Sequence, residues 1–397
     1  MASGVEIIRG HVLETLPTLA EASVQTVVTS PPYWGLRDYG TDPVAWPTVR
    51  FPMMPGVPYE AVVPAMDASL GLEQTHVAYI GHLVAVFRAV ERVLRTDGTL
   101  WLNLGDAYGA KKQLRPLPWL VAFALQADGW ILRSWIPWVK RNPMPTSQRD
   151  RPTASCEIVF LLAHPKSKGR YTYDHEAVLQ PFADARMGCD GATAKSERNR
   201  GGRTDGFTKP NNVNPSKNGG RTWRTADAFF GSLQAILDGG QGMLSNDEGD
   251  PLALVVNTKP YKKAHFATFP PHLVEPCIQA GAPEHGCCPT CGKAWVRVIE
   301  RTTEEDDSAK GSRFDTGKTG NRDGGDRTQK GPRCVTRAAG WKPCCTCPAA
   351  DPIPCTVLDP FGGAGSTGLA ASKLGRHAVL CELSDDYADQ AEARVAP

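Results

Sequence analysis

Net charge is almost missing from this chain: 44 lysines and arginines against 42 aspartates and glutamates leave +2 over 397 residues. That balance excludes a protein that grips a polyanion with its whole surface; any nucleic-acid contact has to come from a local basic patch. Long apolar runs are missing too. A stretch such as Trp119–Leu125 is far short of the roughly 20 residues a membrane helix requires. The first residues, Met-Ala-Ser-Gly-Val-Glu-Ile-Ile-Arg, lack a basic leader followed by an apolar block. No export signal is therefore read, and a cytoplasmic protein is expected. In that setting the 12 cysteines point to thiols or metal ligation rather than disulfides.

What the chain has is enough apolar material for a real core, 41% of residues, with an ordinary 22% charged. One large α/β domain with insertions, or two domains, fits that length. Val5–Ile8 and Val24–Thr29 read as strands. Apolar Ile80, Leu83, Val84, Phe87, Val90 and Leu94 recur at helical steps, which predicts a helix over 79–95 with Gly98 just beyond its end. Strand 99–104, helix 117–127, strand 131–139 and strand 157–162 follow. After 351 the pattern resumes with strand 355–359, helix 368–374, strand 378–381 and helix 385–395. Such alternation predicts a mostly parallel, doubly wound sheet. The last strands need a neighbour, and the unpaired candidate is Val5–Ile8, so the sheet is expected to be assembled from both ends of the chain.

The strand ending at Asp359 runs into Asp359-Pro360-Phe361-Gly-Gly363-Ala-Gly365-Ser-Thr367 and then a helix. A glycine-rich turn there lets a ligand approach the backbone at a helix N-terminus. The spacing is not that of a dinucleotide fingerprint, and no lysine follows, which excludes a P-loop. Glu382, at the end of the next strand, is placed to take both ribose hydroxyls of an adenosine. A plain structural turn with a surface glutamate is the competing reading.

Strand 24–29 ends in Ser30-Pro31-Pro32-Tyr33-Trp34. Two prolines fix φ and remove two N–H donors, leaving a rigid turn that presents acceptors. The Ser30 hydroxyl and Pro31 carbonyl can then hold an amino group, and Tyr33 offers a ring to a planar base. Alone, such a turn is as often an ordinary loop; beside a nucleoside pocket in the same sheet it reads as a catalytic turn.

Two segments break the α/β pattern. Residues 185–225 hold nine basic and three acidic residues, with Phe207 and Trp223 among them and Phe229 and Phe230 nearby. Residues 301–333 are polar and glycine-rich. Neither can build its own core, so both are expected to be loops or insertions. Cys288-Pro-Thr-Cys291-Gly reads as half of a zinc knuckle, with Cys345-Thr-Cys347 as its partner across the polar loop. Cys287, Cys334, Cys344 and Cys355 are spare or substitute ligands, and a set of reduced thiols is the bland alternative.

Taken together, the glycine turn and the Ser-Pro-Pro-Tyr turn resemble the S-adenosylmethionine-dependent amino-methyltransferases of DNA. Having the proline turn first and the glycine turn last is similar to the beta class of bacterial and phage modification enzymes. Ser30–Tyr39, Asn142–Pro145, Tyr173–Glu176 and Ala264–Pro271 also look like that subgroup. The resemblance implies a Rossmann-like methyltransferase fold with permuted motif order and an antiparallel hairpin from 131–139 and 157–162. It implies S-adenosylmethionine held by Asp359, Pro360, Phe361, Gly363, Gly365, Thr367 and Glu382, with Phe266 at its methionine end. His11 stands where relatives tend to have an acidic residue near the cofactor adenine, and Cys156 where they often have histidine.

The resemblance further implies double-stranded DNA as partner, a cognate restriction endonuclease, and a monomer or homodimer in a bacterial or phage-infected cell. Residues 185–225 fall where relatives place a target-recognition region, and Lys111, Lys112, Arg115, Lys140 and Arg141 are candidate phosphate contacts. The expected division is 1–180 catalytic half, 181–255 target recognition, 256–284 cofactor-closing segment, 285–350 zinc insertion and 351–397 cofactor half. Serine at the head of the proline turn resembles the cytosine-N4 enzymes more than the adenine-N6 ones, although some adenine enzymes share it. An RNA or protein-amide methyltransferase and an inactive DNA-binding relative are the alternatives.

Overall fold

The computed structural model describes residues 4–140, 150–152, 154–178, 242–245, 251–256, 269–304 and 333–396. Nine strands form the main sheet: β1 Val5–Arg9, β2 Val24–Thr29, β3 Leu94–Leu104, β4 Ile131–Val139, β5 Cys156–Ala163, β6 Gly242–Ser245, β7 Pro251–Val255, β8 Thr356–Asp359 and β9 His377–Glu382. Their spatial order is β1-β9-β8-β2-β3-β5-β4-β7-β6. From β1 to β3 all neighbours are parallel; β5 is antiparallel to both β3 and β4. Val5 pairs with Ala378, so the N-terminal strand does complete a sheet begun by the C-terminal one. The 131–139 hairpin partner is confirmed as well, with Trp138 opposite Glu157.

All six residues of β2 are buried, which fits a β-branched strand covered on both faces. One face carries α1 (His76–Val93) and α2 (Leu117–Ala127), packing Leu83, Phe87 and Leu125 against Leu100 and Leu102. The other carries α3 (Pro271–Gly281) and α4 (Ser366–Lys373), packing Val274, Ile278 and Ala371 against Trp101 and Val357. The C-terminal helix α5 (Asp385–Val395) is capped by the Ser384 hydroxyl, which accepts from the Tyr387 N–H.

Several boundaries differ from expectation for identifiable reasons. Helix α1 starts at His76, because Thr75 caps it by accepting from the Ala78 N–H at 3.1 Å. It ends at Val93, and β3 begins at once. Gly98 is therefore inside the strand rather than capping the helix. Its φ is not left-handed; a Cβ there would fall 2.5 Å from Leu94 Cδ1 and 2.9 Å from the Gln25 carbonyl oxygen, so the position admits no side chain.

Strands β6 and β7 lie within 181–255, the segment expected to serve target recognition, where no strand was read; β7 finds a partner in Trp138 and Val139 of β4. Strand Val296–Glu304 pairs with Arg333–Lys342, so strand takes in five residues of the segment expected to be loop, 301–304 and 333. Two small hairpins were not anticipated: Val44–Trp46 with Met66–Ala68, and Val49–Pro52 with Glu60–Val63. The second seats Phe51 and Val63 on Gly81 of α1.

Helix α3 ends on Gly281, directly above a buried Thr26–Thr99 hydroxyl pair at 2.9 Å. A Cβ at 281 would sit 2.4 Å from Thr26 Oγ1 and 2.6 Å from Thr99 Oγ1. Gly281→Ala is accordingly expected to cost about 1–3 kcal/mol, as overpacking does, measured as a lower urea midpoint. An unchanged midpoint would contradict this packing.

Candidate active site

The two turns named by the sequence emerge side by side. Strands β2 and β8 are neighbours, with Leu358 opposite Val27. At their ends a single carboxylate ties them together. Asp359, fully buried, accepts from the Thr29 hydroxyl at 2.6 Å, the Thr367 hydroxyl at 2.6 Å and the Phe361 N–H at 3.0 Å. Burial pushes its carboxyl up to about 7, against the pull of those donors. Its side chain thus faces inward and shapes the turn.

This linkage has a pH signature. The folded-state value of about 7 exceeds the ordinary 3.8, so the protonated acid favours the fold. That contribution is complete below about pH 4 and lost as pH rises towards 7. Asp359→Asn removes the loss, so its stability relative to the native chain should grow from about pH 4 to about 7 and level off above. Urea unfolding of both proteins across that range tests this; a constant difference would contradict it.

In the glycine turn, Gly362 lies flat on β9, its N–H donating to the Cys381 carbonyl at 2.8 Å. Gly363, at φ +50°, has nothing among the described residues nearer than 3.9 Å where a Cβ would stand. Gly365, at φ +78°, precedes α4 and faces Ala391. Glu382 is at the next strand end, accepting from the Gly363 N–H at 2.7 Å and the Ser384 N–H at 2.8 Å. Burial raises its carboxyl above the usual range. Pro360 is buried and Phe361 half-buried in the same turn. His11 is buried, edge-on to Trp46 at 4.8 Å, with Nε2 lacking a hydrogen-bond partner among the described residues; burial lowers its pKa. Phe266, Asn142–Pro145, Arg141 and residues 185–225 lie outside the described residues.

In the proline turn, Pro31 is buried and Pro32 half-buried. Tyr33 is not a free ring. Its hydroxyl donates to Glu157 Oε2 at 2.8 Å and accepts from Asn103 Nδ2 at 2.8 Å and from the Ser30 hydroxyl at 3.3 Å. Asn103 Nδ2 also reaches Ser30 Oγ at 3.3 Å and Glu157 Oε2 at 3.2 Å. Lys140 Nζ binds the other oxygen of Glu157. Burial and the Glu157 charge hold the Tyr33 phenol well above 10. Lys140, expected as a phosphate contact, pairs with Glu157. Lys112 pairs with Asp150 at 2.6 Å on the surface.

Below the turn, residues 71–82 act as a bracket. Tyr79 donates its hydroxyl to the Pro32 carbonyl at 2.9 Å, Trp34 Nε1 donates to the Glu73 carbonyl at 2.9 Å, and Gly35 N donates to the Gly71 carbonyl at 2.7 Å. Glu73 itself is pinned by the Gly71 N–H at 2.9 Å and by His82 Nδ1 at 2.9 Å. Gly105 leaves room for the Tyr33 ring: a Cβ there would be 2.7 Å from Tyr33 Cε2.

The four cysteines singled out by spacing, Cys288, Cys291, Cys345 and Cys347, do converge, their sulfurs all within 4.8 Å of one another. The knuckle closes through Gly292 N to the Cys288 carbonyl at 2.8 Å. Backbone N–H groups of Cys291 and Thr290 lower the Cys288 thiol to about 6. Gln25, near the start of β2, donates to the Gly292 carbonyl at 2.9 Å. The cluster thus sits at the opposite edge of the sheet from Ser30, about 16 Å along a strand rising about 3.3 Å per residue.

Comparison with known proteins decides the family. The profile of the N6/N4 DNA methylases matches residues 24–288 and 355–393, which spans both turns. This chain belongs to that family. The methylase is 33% identical over 305 residues to the Type II methyltransferase M.XycI of Xanthomonas campestris pv. cyanopsidis, covering 70% of this chain and 72% of the relative. It is 28% identical over 419 residues to M.SmaI of Serratia marcescens, covering 98% and 90%. In fold it is similar to the cytosine-N4-specific PvuII DNA methyltransferase, at TM-score 0.50 and 14% identity, covering all of this chain and 88% of the other.

The sequence reading did not give a role to Asn103 or Glu157. Glu157 opens an antiparallel strand, so its beginning lies at the edge where the parallel strands end. A polar residue at the start of Cys156–Ala163 was the available signal, legible only once the strand's direction was known.

Proposed function

We propose that this methylase transfers a methyl group from S-adenosylmethionine to the exocyclic amino group of a flipped cytosine, giving N4-methylcytosine in DNA. What supports the reading is the register of β2 against β8, which brings Ser30 and Gly363 to one sheet edge, joined through Asp359. The residues fit the cofactor. Gly363 combines a left-handed backbone with space on its Cβ side among the described residues, and Glu382 presents a half-buried carboxylate at the adjoining strand end. Asp359, Pro360, Phe361, Gly363, Gly365 and Thr367 would shape the cradle, Glu382 the ribose contact, with His11 at its margin. The bound cofactor supplies an electrophilic methyl group.

An exocyclic amine conjugated to its ring is a poor nucleophile. Ser30 Oγ and the Pro31 carbonyl accept its hydrogens, turn its lone pair towards the methyl donor and stabilise the developing positive charge. Pro31 and Pro32 hold that geometry without offering competing N–H donors, and Tyr33 borders the base. Ser30, being neutral, suits cytosine; adenine N6 is the alternative. Type II relatives support a modification role, with a cognate endonuclease as partner. In this reading Cys288, Cys291, Cys345 and Cys347 would hold a structural Zn2+ through their thiolates, anchoring the paired strands Val296–Glu304 and Arg333–Lys342.

Incubation with DNA and methyl-labelled cofactor, digestion to nucleosides and mass spectrometry tests the function. N4-methylcytosine is expected; N6-methyladenine would move the assignment to the other base, and unlabelled DNA would reject it.

A further inference from the structure

The hydrogen bonds around Tyr33 have a fixed polarity. Glu157 as a carboxylate can only accept, and Asn103 Nδ2 can only donate. The Tyr33 hydroxyl must therefore give its proton to Glu157 Oε2, at 2.8 Å, and receive from Asn103, at 2.8 Å. The Ser30 hydroxyl then donates to Tyr33 Oη, at 3.3 Å, and keeps a lone pair for the site. Lys140 anchors the remaining oxygen of Glu157, whose side chain is only 16% exposed.

We propose that Glu157 is the terminal acceptor of a Ser30–Tyr33–Glu157 chain that fixes Ser30 as a hydrogen-bond acceptor and drains the proton shed by the amine. This rests on the methyl-transfer reading above. The step balances as follows. The amine nitrogen forms its bond to the incoming methyl carbon and becomes positively charged. One N–H bond then breaks, leaving its electron pair on nitrogen, and that proton goes to Ser30 Oγ. Ser30 passes its own proton to Tyr33 Oη, and Tyr33 passes its proton to Glu157 Oε2. Glu157 ends as a neutral acid that later releases the proton to water. Tyr33 relays rather than keeps the charge, because burial beside Glu157 strongly disfavours a phenolate. Asn103 cannot be the acceptor, since an amide takes up no proton at neutral pH. It positions the hydroxyls instead.

Glu157→Gln distinguishes this role from a structural one. Its amide fills the same space, but it accepts no proton, and it can present an N–H to Tyr33 that reverses the chain. Single-turnover methyl transfer to DNA should fall about 10²-fold or more, the usual range for lost general base assistance. Cofactor and DNA affinities should be unchanged. Tyr33→Phe should show the same loss, and the double variant should be no slower than either single one, as residues acting in one chain are non-additive. Glu157→Asp should recover part of the rate. Should Glu157→Gln fail to fold, seen as lost cofactor binding, Tyr33→Phe decides alone. A native rate in Glu157→Gln, or in Tyr33→Phe where that variant decides, overturns the relay while leaving the methyl-transfer reading intact. Absence of methylation by the native protein would overturn that reading, and the relay with it.

Discussion

Tyr33→Ala is expected to reduce methyl transfer about 10³-fold, the scale on which removing preorganised polar groups acts, while S-adenosylmethionine still binds. The alanine deletes the ring seated against Gly105 and the hydroxyl that joins Ser30, Asn103 and Glu157. Asn103 and the Glu157–Lys140 pair then face a void that water fills, and Ser30 loses the partner that orients its proton. None of these groups belongs to the glycine turn, whose contacts run through Asp359, Cys381 and Glu382. Pro31→Ala should follow the same pattern, because it restores an N–H and loosens φ in the turn. Calorimetry of cofactor binding beside a single-turnover assay separates the two effects. Full methylation by Tyr33→Ala would show that this turn is not where the reaction occurs.

The second large effect concerns the cysteine cluster. Native protein should carry one zinc ion, and the double variant Cys288→Ala, Cys345→Ala should carry none. Structural zinc sites in small peptides are worth about 10–16 kcal/mol, and among the described residues the paired strands Val296–Glu304 and Arg333–Lys342 have few other attachments. They include Arg297 to Asp174 at 2.9 Å and to Glu284 at 3.3 Å, and Trp341 stacked on His285 at 5.5 Å. Loss of zinc should therefore strip amide-exchange protection from the ribbon. Cofactor binding should survive, since the cluster adjoins Gln25 at the far edge of the sheet. Zinc content by mass spectrometry and hydrogen exchange check both halves. A metal-free protein whose ribbon remains protected would contradict the assignment.

The main sheet was largely legible because its strands are short apolar runs between helices of clear period. Val24–Thr29, Ile131–Val139 and Leu117–Ala127 have the very bounds that the pattern suggests. Gly98 misled because a glycine after an apolar helix commonly caps it; only packing against Gln25 and Leu94 shows the close approach. The hairpins between 44 and 68 were illegible because their strands of three or four residues carry too little alternation to register.

The site itself divided the same way. Turns are local, so Ser30–Tyr33 and Asp359–Thr367 declare themselves in consecutive residues. The Tyr33 network joins positions 30, 33, 103, 140 and 157, and such a set is assembled only by strand order. The inward-facing part played by Asp359 was hidden for the same reason, since Thr29 comes from the other end of the chain.

A crystal structure with S-adenosylhomocysteine bound tests the central claim most directly. The adenosine should lie across Gly363 with its ribose on Glu382, and the sulfur should point across β8 and β2 towards Ser30. A product molecule seated anywhere that leaves its sulfur remote from the Ser30 hydroxyl would contradict the account.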